Sequence, residues 1–534
     1  MKLFKQLLVA PAALGLLAPM AANANELNLD GVNQYASQEQ VTSISQFSDV
    51  RPTDWAYQAL SNLIERYGCV AGYPNGTYKG GQAMTRYEAA ALLNACLDRI
   101  TEVTDELKRL MKEFEKELAV LRGRVDGLEA KVGELEANQF STTTKLKGKA
   151  TFVLGANSFN GDATFLRNQY RSELGATTFN YDVQLDFDTS FTGKDLLRTR
   201  LRAGNFRDTT YLGGNEFAPN PLSALEIAFQ ESEASDNLVA INRLFYQFPV
   251  GSDFTVTIGG RVRQDDMLAM WPSVYPADTV LDFFTYAGAP AAYSLNLGSG
   301  AGIWWQKNGW SVSLNYVAAN GNNGSPDDRN PNCGGIGTDC SAQTGTAQIG
   351  YAAENWGLAV AYTYANGIGF ASGTPFAVGV SEFGGFDSSN SIGISGYWQP
   401  SQAGWVPSIS AGWGLTGYNS EDDAFGFDGL QSQSWYVGLQ WEDVFIKGNA
   451  AGMAVGQGTF ITSFGNDSDI KDALGDTPND GNYVWEWWYK FQVTDNISVT
   501  PAIYYLSAPL GQLQKVNGDT FNQFGGLVKT TFKF

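Results

Sequence analysis

The chain has 534 residues, with 35 lysines and arginines against 55 aspartates and glutamates, a net charge of −20, and no histidine. The missing histidine excludes a Ser-His-Asp triad and any imidazole metal site, and the acidic balance argues against a nucleic-acid partner. No eighteen-residue apolar run occurs in 145–534, which excludes membrane-spanning helices there. Taken in chain order, residues 1–24 have the build of a secretory signal peptide: Lys2 and Lys5, an apolar core from Leu7 to Leu17, and Ala22-Asn23-Ala24 as a small-residue cleavage site. Removing it takes the net charge to about −22. Residues 25–46 are polar and read as a flexible leader.

Residues 47–100 are compact and helical in pattern. Trp55, Ala59, Leu60, Leu63, Ile64 and Tyr67 follow helical spacing, Gly68 stops the helix, and a turn runs from Gly72 to Tyr78. Thr85 and Glu88 form a capping box ahead of Ala89, Leu92, Leu93, Cys96 and Leu97. Arg86 takes no part in capping, so its guanidinium is available to an anionic group. Trp55 is either core or a ring for stacking on a sugar. Export and an even cysteine count lead to expected disulfides Cys69–Cys96 and Cys333–Cys340, with two buried thiols as the alternative for the first pair.

Residues 100–138 read as a coiled coil. Ile100, Val103, Leu107, Leu110 and Phe114 step by three and four; an extra step of four leads to Leu118, and Leu121, Val125, Leu128, Val132 and Leu135 continue in heptads. The pairs Glu117–Arg122, Arg124–Glu129 and Lys131–Glu136 are opposite in sign, as a parallel assembly requires. Val at a with Leu at d favours a dimer. A helix over the 36 residues from 100 to 135 would reach about 54 Å.

From 145 to 534 the recurrent pattern is alternation. Asp182, Gln184, Asp186 and Asp188 share one face of a strand, with Val183, Leu185 and Phe187 on the other. Lys145, Lys147, Lys149 and Thr151 do the same against Leu146, Ala150 and Phe152. Tyr483, Trp485, Trp487, Tyr489 and Phe491 put five aromatics on one face, as a membrane girdle requires, and Phe534 ends an apolar strand face. The expected fold is therefore mainly β, a large antiparallel transmembrane barrel behind a small helical module and a coiled coil. Candidate lumen residues are the acidic ladder Asp182, Asp186 and Asp188, the basic ladder Arg198, Arg200 and Arg202, and a second basic row, Arg261 and Arg263. Paired wall residues that only satisfy one another are the alternative. The segment from Asp265 to Tyr286 breaks the alternation and is a candidate for a loop folded into the lumen. Acidic runs at 421–423 and 467–469 lack full calcium-loop spacing and read as solvated external loops. No cofactor and no metal site is expected.

Two resemblances follow from these residues. Phe47-Ser48-Asp49-Val50, Trp55-Ala56, Gly72-Tyr73-Pro74-Asn75-Gly76-Thr77-Tyr78 and Thr85-Arg86-Tyr87-Glu88 resemble the S-layer homology module, with Gly80-Gly81 standing where that module usually has a proline. The resemblance implies binding of peptidoglycan-linked polysaccharide through Arg86, with Trp55 beside it. The order signal, module, coil and barrel resembles the cyanobacterial outer-membrane porins of the OprB-type, also labelled iron-uptake porins. That resemblance implies a homotrimer of roughly sixteen-stranded barrels in the outer membrane, with a periplasmic N-terminal domain, passing small solutes or ions without catalysis. The trimer it implies stands against the dimer that the coil's own a and d residues favour. A mainly structural membrane-to-wall tether with a nearly closed barrel is the alternative function.

Overall fold

Alternation becomes structure wherever one face of a strand meets lipid and the other meets the inside of a closed sheet. The computed structural model describes residues 43–54, positions 57, 60, 61, 64, 77–79, 112 and 115, and residues 143–534 apart from short stretches at 207–220, 229–236, 277–279, 328, 331, 369–371, 384–387, 420–428, 466–470, 473–474 and 513–518. The signal peptide, the leader up to residue 42, nearly all of the coil, Trp55, Arg86, the capping box, Cys69, Cys96 and both acidic runs lie outside the described residues. The chain divides into two compact units, Met1–Gln139 and Phe140–Phe534.

In the first unit, Ile44, Phe47, Leu60 and Ile64 are buried together, with Val50, Tyr57 and Tyr78 against them. The short turn Ile44–Gln46 is closed by a capping box between Ser43 and Gln46. Asp49 accepts the backbone N–H groups of Tyr78 and Lys79, each at 2.6 Å. The Tyr78 N–H is the main cause that holds the Asp49 carboxyl below its ordinary range. The opening motif thus ties the first residues of the module to the turn some thirty positions on.

The second unit is a closed barrel of sixteen antiparallel strands in sequence order, with β16 returning to pair with β1. The strands are β1 (Thr144–Asn160), β2 (Thr178–Thr189), β3 (Leu196–Gly204), β4 (Ala240–Val250), β5 (Phe254–Arg263), β6 (Leu297–Lys307), β7 (Trp310–Ala318), β8 (Gln343–Ala352), β9 (Trp356–Asn366), β10 (Ser388–Trp398), β11 (Ser408–Asn419), β12 (Gln431–Glu442), β13 (Ala450–Ser463), β14 (Tyr483–Thr494), β15 (Ile497–Ser507) and β16 (Asn522–Lys533). Closure leaves no edge strand, so the backbone polar groups of the ladders are paired within the wall apart from local bulges. One end of the barrel has tight turns. Between β6 and β7 the turn is Asn308-Gly309, both at positive φ (49° and 83°), the pairing that a two-residue turn of matching twist needs. The other end carries long connections, including helices α1 (Thr164–Leu174) and α2 (Pro375–Phe383) and a Cys333–Cys340 disulfide. Short turns mark the periplasmic end of such barrels and long loops the outer one.

Apolar side chains such as Leu154, Ile303, Leu314, Ile349 and Val360 stand exposed on the outer face, as lipid contact requires. Near the short-turn end Trp310, Tyr351 and Trp356 touch ring to ring. On β14 the odd-numbered aromatics face outward, while Val484, Glu486 and Trp488 are buried on the inner side.

Candidate functional site: the lumen of the barrel

The inner face of the wall is divided by chemistry. Strands β7 to β11 contain no charged residue. Strands β16, β1, β2 and β3 together hold eight bases (Lys529, Lys533, Lys145, Lys147, Lys149, Arg198, Arg200, Arg202) and three acids (Asp182, Asp186, Asp188), a net of +5. Across all sixteen strands there are 13 bases and 5 acids, a net of +8 within a chain of net charge −20. The acidic excess therefore lies outside the membrane-spanning wall.

The two predicted ladders lie on neighbouring strands and pair rung by rung. Arg198 meets Asp188 at 2.8 and 2.9 Å, Arg200 meets Asp186 at 2.6 and 2.9 Å, and Arg202 meets Asp182 at 2.6 Å. Planar guanidinium against carboxylate makes the first two contacts bidentate, which fixes the arginines against the wall. Lys147 shares Asp188 at 2.9 Å. Asp182, fully buried, also accepts from Gln184 at 2.8 Å. The ladders thus set opposite charges side by side along the wall rather than across the channel.

The uncharged wall is covered from inside. The connection between β5 and β6 (264–296, here L3) runs into the barrel and lies along β7 to β14. Five small hydroxyls hold its backbone. Ser313 of β7 accepts from the Ala269 N–H at 2.9 Å, and Ser410 of β11 accepts from Tyr275 at 3.0 Å. Thr363 of β9, Ser395 of β10 and Ser434 of β12 donate to the carbonyls of Ala292, Ala287 and Gly288 at 2.7, 2.7 and 2.9 Å. Gly412 is needed because a Cβ there would run into the Ala287 carbonyl oxygen. Glu486 of β14, fully buried, accepts the Leu281 N–H at 2.8 Å and the Tyr275 hydroxyl at 2.7 Å. The predicted inward loop is therefore present, and it extends ten residues beyond Tyr286.

A second segment enters as well. Within the β3–β4 connection (205–239, here L2), residues 221–228 lie in the lumen and pair with L3: Leu225 bridges Leu281, Glu226 donates to Val280 at 3.1 Å, and Asp282 donates to Ala224 at 2.9 Å. Leu222, Leu225 and Ile227 join Leu281, Phe283, Phe284, Tyr436, Trp488 and Tyr504 in one buried apolar cluster inside the barrel. Burial of this kind, at roughly 1.5–3 kcal/mol per large side chain, seats both loops firmly. Between loops and wall lies a cavity of about 410 Å³ lined by Arg202, Arg243 and Arg263 and, from the loops, Glu226, Asp265 and Asp282, with Trp271 at its side. Arg263 is held by Asp265 (2.5 and 2.6 Å) and Arg243 by Asp266 (2.7 Å). Arg261 parts from Arg263: it sits in the β4–β5 bulge opposite outward-facing Leu244 and does not line this cavity.

Sequence periodicity did not single out Arg243, Glu226, Asp282 or Glu486 as lumen residues. Glu486 carried a readable signal, a lone acid on the face opposite five aromatics; Glu226 carried none, since its place depends on L2 folding inward. In the outer loops, the bridged Cys333 and Cys340 carbonyls both accept from the Asn320 side chain, at 3.1 and 3.0 Å.

The chain has counterparts among known proteins. Residues 102–534 match the carbohydrate-selective porin family, OprB, and residues 46–90 match the S-layer homology domain. Over 551 aligned residues the chain is 35% identical to the protein alr4550 of Nostoc sp., covering 95% of this chain and 88% of the relative. It is 30% identical over 160 residues to the outer membrane protein SlpA of Deinococcus radiodurans, covering 28% of this chain and 13% of that protein. The structure of Pseudomonas putida OprB aligns with a TM-score of 0.47 at 12% identity, over 75% of this chain and 96% of that one. The chain belongs to the OprB family of carbohydrate-selective porins, and is an outer-membrane β-barrel carrying an S-layer homology domain ahead of it.

Proposed function

We propose that the protein is a passive channel for small hydrophilic solutes and inorganic ions, and that it changes none of them chemically. The observation that carries this reading is the cavity of about 410 Å³ bounded by three fixed charges of each sign. Fixed charges of both signs at close quarters favour small, well-hydrated species over bulky apolar ones. Conductance and reversal potential in a planar bilayer test it; a purified barrel that carries no current in simple salts overturns it.

The proposal extends to the whole chain. Residues 100–138 assemble three copies through the coil, and the module at 47–100 anchors each barrel to peptidoglycan-linked polysaccharide through Arg86 with Trp55. Each wall contact then gains from its neighbours by effective concentration. Arg86→Ala should reduce pelleting with purified cell wall without loss of helical circular dichroism. The 25–140 fragment should sediment as a trimer; a dimer would favour the coil's own a and d preference. A second reading, a structural tether with a nearly closed barrel, is favoured by the apolar cluster inside the lumen, and the same conductance measurement separates the two.

A further inference from the structure

At the short-turn end of the charged wall, Lys149 of β1 and Lys533 of β16 are direct partners across the ladder. Like charges directly opposite on neighbouring strands destabilise a sheet. Both side chains line one concavity of about 480 Å³, together with Lys147 and Arg200. The acids nearby are already engaged. Asp186, the one acidic side chain in the lining, is held by two nitrogens of Arg200, and Asp188 by Arg198 and Lys147, while the Phe534 main-chain oxygen, also at the hollow, accepts the Gly148 N–H at 2.6 Å. Among the described residues, neither the Lys149 nor the Lys533 ammonium has a hydrogen bond or ion pair. Two uncompensated ammoniums that share one hollow, with the Asp188-bound Lys147 at its side, are complementary to an anion that offers several acceptor oxygens.

We propose that this vestibule binds an oxyanion of the phosphate class, inorganic phosphate or a phosphate monoester, between Lys149 and Lys533. Lysine binds phosphate as a point charge with three donors, and a tetrahedral oxyanion accepts from both ammoniums at once. The hollow is large enough for the remainder of a small monoester. The site stands at the end of the lumen beyond the loop constriction, so an anion held there dwells on the path between channel and periplasm. In that respect the proposal rests on reading the lumen as a water-filled path.

The test uses the full-length protein. Inorganic phosphate and glycerol phosphate are titrated separately into detergent-solubilised protein, followed by phosphorus NMR line broadening, with chloride and acetate as controls at equal ionic strength. Phosphate is then added to one side of a bilayer containing the channel. Both phosphates should bind, and phosphate should reduce chloride current when added from the short-turn side only. Binding of one phosphate alone identifies the source. K149Q/K533Q should weaken binding about tenfold or more, since hydrogen bonds to charged groups are lost, while K149R/K533R keeps it. Because glutamine relieves repulsion, the melting temperature of the Gln variant should be unchanged or higher. Equal binding by parent and Gln variant, or equal effects of chloride and phosphate, overturns the site. A channel that conducts but binds no phosphate loses this site and keeps the channel reading; a barrel that binds phosphate but never conducts keeps the site and loses the channel.

Discussion

The two halves of the inner wall solve different problems with different residues. On β7 to β12 many of the inward side chains are short hydroxyls, because the L3 backbone lies against them and needs short donors and acceptors in reach. On β16 to β3 L2 touches the ladder at the Arg202 rung, where Arg202 donates to the Ile227 carbonyl at 3.4 Å, while the Arg198 and Arg200 rungs stay partly exposed, and the wall carries eight bases and three acids. A charge buried under a loop would cost several kcal/mol of desolvation unless paired, so charge gathers where water remains. Glu486 is the exception on the covered side, and there it serves as an anchor for two loop groups.

Removing that anchor should produce the largest change. Glu486→Ala leaves the Leu281 N–H and Tyr275 hydroxyl without their acceptor, a loss of about 1–3 kcal/mol for each buried donor left unsatisfied. Larger and noisier single-channel currents would report an L3 that has left its seat; unchanged conductance would show that the apolar cluster holds it alone. Next comes Gly412→Val, which forces a side chain into the Ala287 carbonyl and should cost about 1–3 kcal/mol of overpacking. Its melting temperature should fall, whereas the same change at Gly417, where an added Cβ meets nothing, should have little effect through packing.

On the charged side, Arg198→Gln with Arg200→Gln leaves Asp186 and most of the Asp188 contact uncompensated, and spares Arg202 because Asp182 is fully buried. Reversal potential should move toward cations, more at low salt than at physiological salt, where fields fade over about 8 Å. No shift at low salt would mean that ions pass out of reach of this wall. The smallest effect is one of pH. Asp195, in the turn between β2 and β3, is pushed up by loss of water but pulled further down by the Thr192 N–H and by the Thr192, Tyr246 and Ser190 hydroxyls, so its carboxyl lies well below the ordinary range. A depressed acid stabilises the fold above its unfolded value, near 3.8, and that contribution fades as pH falls toward the folded value. Melting of the parent should therefore decline modestly below about pH 4, and Asp195→Asn should flatten that part of the profile. The Asn308-Gly309 turn on the covered side has no titrating group and should contribute nothing to it.

How far the sequence spoke follows the same division. The charged wall was legible because it alternates: Asp182 to Asp188 and Arg198 to Arg202 declare their common face by spacing alone. Their one-to-one pairing was not, since register depends on the six-residue turn from Ser190 to Asp195 and on Asp195 bonding across it. The outward aromatics of β14 were equally plain. L3 announced itself only as a break in pattern, and L2 not at all, because Leu222 and Ile227 are placed by contacts with strands hundreds of positions away. The sign of the wall was hidden too: an overall charge of −20 gives no hint that the strands sum to the opposite sign. The functions proposed for Arg86, Trp55 and the coil rest on resemblance and on their tests.

The seam between β1 and β16 has a further consequence, in the order of assembly. Thr151 and Thr531 touch across it although they stand 380 positions apart in the chain. Contacts of such long sequence separation form late, after the loop entropy of everything between them has been overcome. The covered wall and its hydroxyls can close by neighbouring hairpins, strand after strand. The Arg198–Asp188 and Arg200–Asp186 rungs can also close within the β2–β3 hairpin, but the Lys149–Lys533 seam comes into being only when the last strand meets the first. A barrel halted before that step would carry its loop seats but no finished ion path, so conductance is itself a readout of completed folding.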